Sequence, residues 1–211
     1  MAKKKKKSWF KSDWAMILIP VVIILVAIGT IFGIKYFIKP KPNYQVIDYN
    51  GFTFVNLSGI WMTKMVFNDR DYELIFKYSP YDVENISVKY DFNWFTKLTS
   101  ERKQIYITFD PEDKNLQYVA LAAADVSRAL TRVYGLQPIA ACTKNITEAC
   151  ANRPIKTCQT TTMPIIYLNE DPVQKITYRG NCLTIQGEGE DLLKAVEKVL
   201  LNWYKIIPDE N

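Results

Sequence analysis

Three carboxylates near the middle of the chain are the residues best placed for chemistry. Asp110, Glu112 and Asp113 lie between an apolar run and a helical pattern. Acids at such a strand-to-helix junction could bind a cation or transfer protons. They could equally complement the dipole of the following helix, with one of them capping it. We favour this second interpretation and expect neither a cofactor nor a bound metal. If the protein did bind a metal, these three acids would be the candidate ligands.

The absence of histidine narrows the chemistry further. None of the 211 residues is histidine. A Ser-His-Asp triad, a Cys-His dyad and any zinc or haem site built on histidine are therefore excluded. Carboxylates and thiols are therefore the first groups to consider for catalysis.

The four cysteines are the second chemical feature. Cys142, Cys150, Cys158 and Cys182 are spaced without any C-x-x-C pair. A zinc site would need all four thiolates and usually has close ligand pairs, so two disulfides in an oxidising compartment fit better. Of the three connectivities we favour Cys142 with Cys150 and Cys158 with Cys182, which pins the cysteine-rich segment to a late strand. Free buried cysteines are the alternative.

Three asparagines begin glycosylation sequons. Asn56, Asn85 and Asn145 are each followed, two positions later, by serine or threonine. These sequons permit glycosylation of an exterior domain in an organism that modifies asparagine.

A glycine-rich segment precedes the last helical pattern. Gly187-Glu188-Gly189-Glu190 lacks the Walker lysine and places two carboxylates where a phosphate would sit. Since these charges would repel a phosphate, we interpret the segment as a turn and a helix start.

The elements that position these residues fall into an aromatic β section, 44–100, and an α/β section, 101–211, of one domain. In the first, alternating aromatic and aliphatic residues around Asn50-Gly51 and Asn68-Asp69 predict a β-meander with one buried face. In the second, the patterns predict strands at Gln104–Phe109, Pro138–Ala141, Pro164–Leu168, Lys175–Tyr178 and Cys182–Gln186, and helices at Leu116–Tyr134 and Glu190–Tyr204. We expect an α/β (α+β) fold in which helices pack on a mixed sheet extended by the meander. Lys194, Glu197 and Lys198 are expected on the polar face of the last helix.

A membrane anchor is predicted before this domain. No charge occurs from Trp14 to Ile34, a run of 21 residues. As a helix this run is about 31 Å long, enough to cross a bilayer core. We therefore expect a basic cytoplasmic leader at 1–13, a transmembrane helix at 14–38 and a short Pro/Lys stalk at 39–43. A cleaved secretory signal, the competing interpretation, would have a shorter apolar region.

The charge distribution predicts the orientation of this anchor. The chain carries a net charge of +5, but residues 1–41 hold nine lysines and one acid. Six lysines precede the apolar run and three follow it, so the N-terminus should stay in the cytoplasm with residues 44–211 outside. The lysines thus indicate the lipid bilayer as a partner and give no indication of nucleic acid.

Gly29 and Gly33 form a G-x-x-x-G pattern within the apolar run. The two glycines share one helical face, where they would allow close approach of a second helix. A homodimer through this face is one expectation. The alternative is that glycine is simply frequent in membrane helices.

Three segments resemble uncharacterised archaeal single-pass membrane proteins that carry a disulfide-containing exterior domain. They are Tyr106–Pro111 (YITFDP), Ala149–Cys158 (ACANRPIKTC) and Gly180–Leu200 (GNCLTIQGEGEDLLKAVEKVL). The resemblance covers most of residues 50–205 and implies a lineage without implying any activity or catalytic residue.

The sequence thus leads to two functional expectations. The first is a non-enzymatic, membrane-anchored exterior domain that binds a protein or a cell-envelope component, as a dimer or as a subunit of a membrane complex. The alternative is a carboxylate- or metal-dependent envelope enzyme that uses the region of Asp110, Glu112 and Asp113.

Overall fold

A computed structural model of the chain describes residues 13–37, 44–89, 94 and 103–208. The chain divides into two compact units, Met1–Asn43 and Tyr44–Asn211. The predicted stalk, 39–43, and all of the predicted leader except Asp13 lie outside the described residues.

The first unit contains a single described helix, α1, at Asp13–Phe37, with Pro20 inside it. Side chains are described for its residues 18–30, all of which are exposed. Across the described residues, the helices do not combine the length and apolarity that crossing a bilayer requires. The transmembrane helix at 14–38 therefore stays a prediction.

The second unit is an α+β domain with two sheets. Its strands are β1 Tyr44–Tyr49, β2 Phe52–Leu57, β3 Ile60–Phe67, β4 Arg70–Phe76, β5 Val88–Lys89, β6 Gln104–Phe109, β7 Gln137–Cys142, β8 Ile165–Asn169, β9 Lys175–Arg179 and β10 Cys182–Gln186. Its helices are α2 Pro80–Val83, α3 Leu116–Arg132 and α4 Glu190–Trp203, with a 3-10 turn at Glu148–Cys150.

The predicted meander forms its own four-stranded antiparallel sheet, in the order β1-β2-β3-β4. The sequence led us to expect that the meander would extend the mixed sheet, but the two sheets are separate. Its inner face carries the predicted alternating set, including Phe54, Trp61 and Phe76, which are at most 8% exposed. Burying side chains of this size stabilises the fold by about 1.5–3 kcal/mol each.

The second sheet has six strands in the order β5-β9-β10-β8-β6-β7. Strands β10, β8, β6 and β7 run parallel to one another, whereas β9 is antiparallel to β10. One face carries Ile107, Ile166 and Leu183, which belong to the same core cluster as the apolar residues of α3 and α4. The carboxyl ends of the four parallel strands therefore meet at one edge of the sheet.

The helices α3 and α4 pack against both sheets. Tyr204, just after α4, contacts Phe76 of the meander with ring centroids 6.2 Å apart. Tyr134, just after α3, contacts Phe67 of the meander at 5.4 Å. Glu197 and Lys198, which the sequence assigned to solvent, are only 4% and 1% exposed. Both bind backbone of the segment that follows β4, Glu197 at Lys77 and Tyr78 and Lys198 at Glu84. The predicted polar face of this helix is wrong at these two positions and holds at Lys194, which is partly exposed.

Candidate functional site

The predicted acids lie at the carboxyl edge of the parallel strands, where they meet one acid that the sequence did not single out. Asp110 directly follows β6, and Glu170 directly follows β8. These strands are parallel neighbours in which Phe109 lies opposite Leu168. The register therefore places Asp110 level with Asn169, and Glu170 one residue further along the same edge.

Lys144, two residues beyond β7, neutralises two of the three predicted acids. Its Nζ lies 3.1 Å from Oδ2 of Asp110 and also donates to Oε2 of Glu112. These two carboxylates hold the pKa of Lys144 above its usual range. Oδ1 of Asp110 also accepts the backbone N–H of Glu112 at 3.0 Å, so both acids have local partners. A cation would have to displace the lysine before it could use this pair.

Asp113 has a different environment. Burial, together with the nearby charges of Asp110 and Glu170, raises its pKa to about 6. Its Oδ2 is buried and has no hydrogen-bond partner among the described residues. Asp113 is therefore a carboxyl group whose pKa lies above the usual range of an aspartate.

The helix-capping interpretation of these acids is wrong. The N-cap of α3 is Asn115, and the first turn of this helix contains no acid. Asn115 directs its side-chain amide to Glu170, and its backbone N–H donates to Oε2 of Glu170 at 2.6 Å. The acid that binds the start of α3 is thus Glu170, which reaches across from the end of β8. The predicted acids lie too early in the chain to do so, because the chain turns once more between Asp113 and the helix.

The acids do not form a metal-binding set. In the described part of the chain, no three His, Cys, Asp or Glu side chains are grouped so that they could hold a metal ion. The arrangement instead combines a lysine-bridged pair, Asp110 and Glu112, with one carboxyl group of raised pKa, Asp113. Such an arrangement can exchange a proton, but it presents no nucleophile paired with a base.

The cysteines form two disulfides, Cys142–Cys150 and Cys158–Cys182. The disulfide prediction is confirmed, and the pairing is the one that the sequence analysis favoured. The second bond joins the cysteine-rich segment to β10, and Oγ1 of Thr108 in β6 donates to the carbonyl of Lys156 in that segment at 2.8 Å. The segment is thus tied to the mixed sheet at β6 and β10, and a parallel bridge between Ile155 and Cys142 also joins it to the end of β7.

The glycine-rich segment is a turn that leads into α4. A Cβ at Gly187 would lie 2.6 Å from the backbone nitrogen of Leu192, so only glycine fits. Gly189 is the N-cap of α4, with a φ of 57°. Gly187 thus allows the backbone of Leu192 to approach closely, and Gly189 allows the left-handed turn at the start of α4.

The three sequon asparagines lie in the second unit. Asn85 and Asn145 are exposed, whereas Asn56 is partly buried and its Oδ1 accepts the N–H of Gly59 at 2.9 Å. The predicted dimer face, Gly29 and Gly33, falls within α1, and a Cβ at Gly29 would meet no atom within 4 Å. Use of the sequons and dimerisation stay predictions.

A buried polar clasp, which the sequence analysis missed, joins the meander to α4. The carboxylate of Glu197 accepts the backbone N–H groups of Lys77 and Tyr78 at 2.6 and 2.8 Å. Burial raises the pKa of Glu197 to about 7, although these two hydrogen bonds oppose the rise. Next to it, Nζ of Lys198 donates to the carbonyl of Glu84 at 2.6 Å. The clasp thus joins α4 by hydrogen bonds to the backbone of the segment that follows β4.

The outer face of the meander carries an apolar surface that the sequence analysis also missed. Its members, here called the apolar end, are Tyr44, Val46, Val55, Leu57, Ile60, Met62 and Ile75. Cross-strand neighbours Val46, Val55, Met62 and Ile75 form a continuous row over all four strands. Val46, Ile60 and Ile75 are 48%, 49% and 54% exposed. The sequence signal that could have indicated this surface is the presence of aliphatic residues on both faces of β3 and β4.

Comparison of the chain with protein-family models, curated proteins and solved structures gave no match.

Proposed function

We propose that this protein is a membrane-anchored exterior domain with a non-enzymatic binding or structural role at the cell envelope. The N-terminus lies in the cytoplasm and residues 44–211 lie outside. The bilayer is one partner, and a protein or envelope component, or a second copy of the chain, is another.

The apolar end is the observation that carries this proposal. Contiguous exposed aliphatic side chains mark surfaces that bind proteins or membranes. The two disulfides support the exterior location, because such bonds persist in oxidising compartments. The lysine-rich flanks of the uncharged run support the anchor and its orientation.

Photo-crosslinking in the native membrane tests the binding role. A photoreactive amino acid replaces Ile75 at the apolar end or, as a matched control, Leu121 on α3. The two side chains are almost equally exposed, at 54% and 53%. The proposal predicts an adduct with a lipid, a protein or a second copy from position 75 and none from position 121. Absence of any adduct from position 75 would count against a binding role.

A carboxylate- or metal-dependent enzyme is the second candidate. The raised pKa of Asp113 and its orphaned Oδ2 favour it, because a proton acceptor with a pKa near neutrality suits acid-base catalysis. The ion pairs of Lys144 disfavour it. Titration of the protein with Mg²⁺, Mn²⁺ or Ca²⁺ separates the two proposals. Saturable binding that Asp113→Asn abolishes and Glu188→Gln retains would favour the enzyme.

A further inference from the structure

The outer face of the meander changes from apolar to charged along its strands. The apolar end contains no charged side chain. One step further along each strand, about 7 Å away, Asp48, Lys64 and Glu73 occupy the corresponding positions on β1, β3 and β4. The charged side chains of this face therefore lie beyond the apolar end, where the last row pairs Asp71 with the exposed aliphatic residue Val66.

The hairpin turns follow the same gradient. The β2–β3 turn, Ser58-Gly59, lies at the apolar end and is flanked by Leu57 and Ile60. These two side chains are 40% and 49% exposed. The other two turns, Asn50-Gly51 and Asn68-Asp69, lie at the opposite end of the sheet and are polar. An exposed turn flanked by aliphatic residues is costly in water, so it indicates contact with an apolar phase or partner.

The chain enters the domain at the apolar end. Tyr44 is the first residue of β1 and belongs to that surface, with 59% of it exposed. Six residues separate it from Phe37, the last residue of α1. Seven peptide links reach at most about 25 Å. If α1 is held in a bilayer, the apolar end is thus restricted to the vicinity of that bilayer.

We propose that the apolar end of the meander inserts into the interfacial layer of the bilayer that holds α1. Aliphatic side chains that enter the boundary between headgroups and acyl chains leave water, and a tyrosine at that depth keeps its hydroxyl hydrated. The charged positions beyond the apolar end remain in the aqueous layer. This inference rests on the proposed anchor, because the short connection between Phe37 and Tyr44 keeps the apolar end within reach of the bilayer that would hold α1.

Site-directed spin labelling of the full-length protein tests this inference. The described chain has no free cysteine, so a nitroxide attaches to a single introduced one. Ile60→Cys probes the apolar end, and Val66→Cys, on the same face of β3 and 71% exposed, is the matched control. Ile24→Cys reports the depth of α1. The variants are reconstituted in phosphatidylcholine and phosphatidylglycerol vesicles, and power saturation measures accessibility to oxygen and to a water-soluble nickel chelate.

The inference predicts that oxygen is the better relaxing agent at position 60 and the nickel chelate at position 66. Nickel-dominated relaxation at both positions would overturn lipid contact. Protection of position 60 from both agents would also overturn it, in favour of a protein partner, and spin-spin broadening would identify that partner as a second copy. Position 24 tells the two proposals apart. If it is inaccessible to nickel while position 60 is accessible, the anchor stands and only the lipid contact fails; if it is accessible to nickel, the anchor itself fails.

Discussion

Replacing Glu197 by glutamine should remove a specific part of the pH dependence of stability. The carboxylate is 4% exposed and accepts two backbone N–H groups, from Lys77 and Tyr78. Asp125 and Arg128 line a cavity of about 50 Å³ beside it. Burial is the largest influence on the pKa of Glu197 and raises it. The charge of Asp125 also raises this pKa, and the charge of Lys77 lowers it. The ionised form is thus disfavoured in the folded chain.

The sign and size of the effect follow from the two pKa values. Burial raises the pKa from the usual 4.5 to about 7, so between these values the folded chain holds a proton that the unfolded chain has released. The free energy of unfolding therefore decreases as the pH rises through this window, and it is independent of this group on either side. The loss is about 1.4 kcal/mol per pH unit, or about 3 kcal/mol in total.

The side chain of Glu197→Gln cannot ionise, so the free energy of unfolding of this variant lacks the pH-dependent part that Glu197 contributes. At pH 4.5 the variant should be less stable than the wild type by about 1–3 kcal/mol, because one amide oxygen serves two buried N–H donors. By pH 8 the wild type has lost about 3 kcal/mol through this group, and the difference should vanish or reverse. Urea unfolding at several pH values measures this difference, in which the other titrating groups cancel. Glu188→Gln, at an exposed position, is the control. Parallel stability curves for wild type and Glu197→Gln would refute the reasoning.

Three further outcomes are expected. Replacing Cys158 and Cys182 by serine should cost about 3–4 kcal/mol and replacing Cys142 and Cys150 about 2–3 kcal/mol, because the longer loop restricts the unfolded chain more; melting in oxidising buffer would check the order, and an inverted order would contradict it. Asp113→Asn should raise stability at pH 8 but not at pH 4, since its pKa is raised to about 6 by burial and neighbouring acids; equal effects at both pH values would contradict this. Millimolar Ca²⁺ or Mg²⁺ should not shift the melting temperature, because Lys144 already pairs with Asp110 and Glu112; a saturable rise would contradict this assignment.

Local patterns predicted most of the elements of the second unit. Strands β6 and β10 have the predicted bounds, Gln104–Phe109 and Cys182–Gln186, because their β-branched runs end at clear turn residues. Helix α3 begins at Leu116 as predicted but ends at Arg132, two residues early, since Gly135 and the hydrogen bond from Leu136 to Leu130 close its last turn.

Arrangements that depend on topology could not be predicted. Lys144 and Glu170 reach the acids of β6 because β7 and β8 flank that strand, and sheet order is not encoded in local periodicity. The burial of Glu197 and Lys198 depends on the segment after β4 packing on α4, whereas a helical pattern predicts only one apolar face. The apolar end of the meander could not be predicted either, because alternation indicates one buried face and leaves the exposure of aliphatic residues on the other face undetermined.

Accessibility of single cysteines in intact cells tests the central claim most directly. Ser8→Cys lies in the lysine-rich leader, and Val66→Cys lies on the meander, where the side chain is 71% exposed. In cells that make the full-length protein, a membrane-impermeant maleimide should label position 66 before lysis and position 8 only after it. Labelling of position 8 in intact cells, or of position 66 only after lysis, would contradict an exterior domain on a cytoplasmic N-terminal anchor.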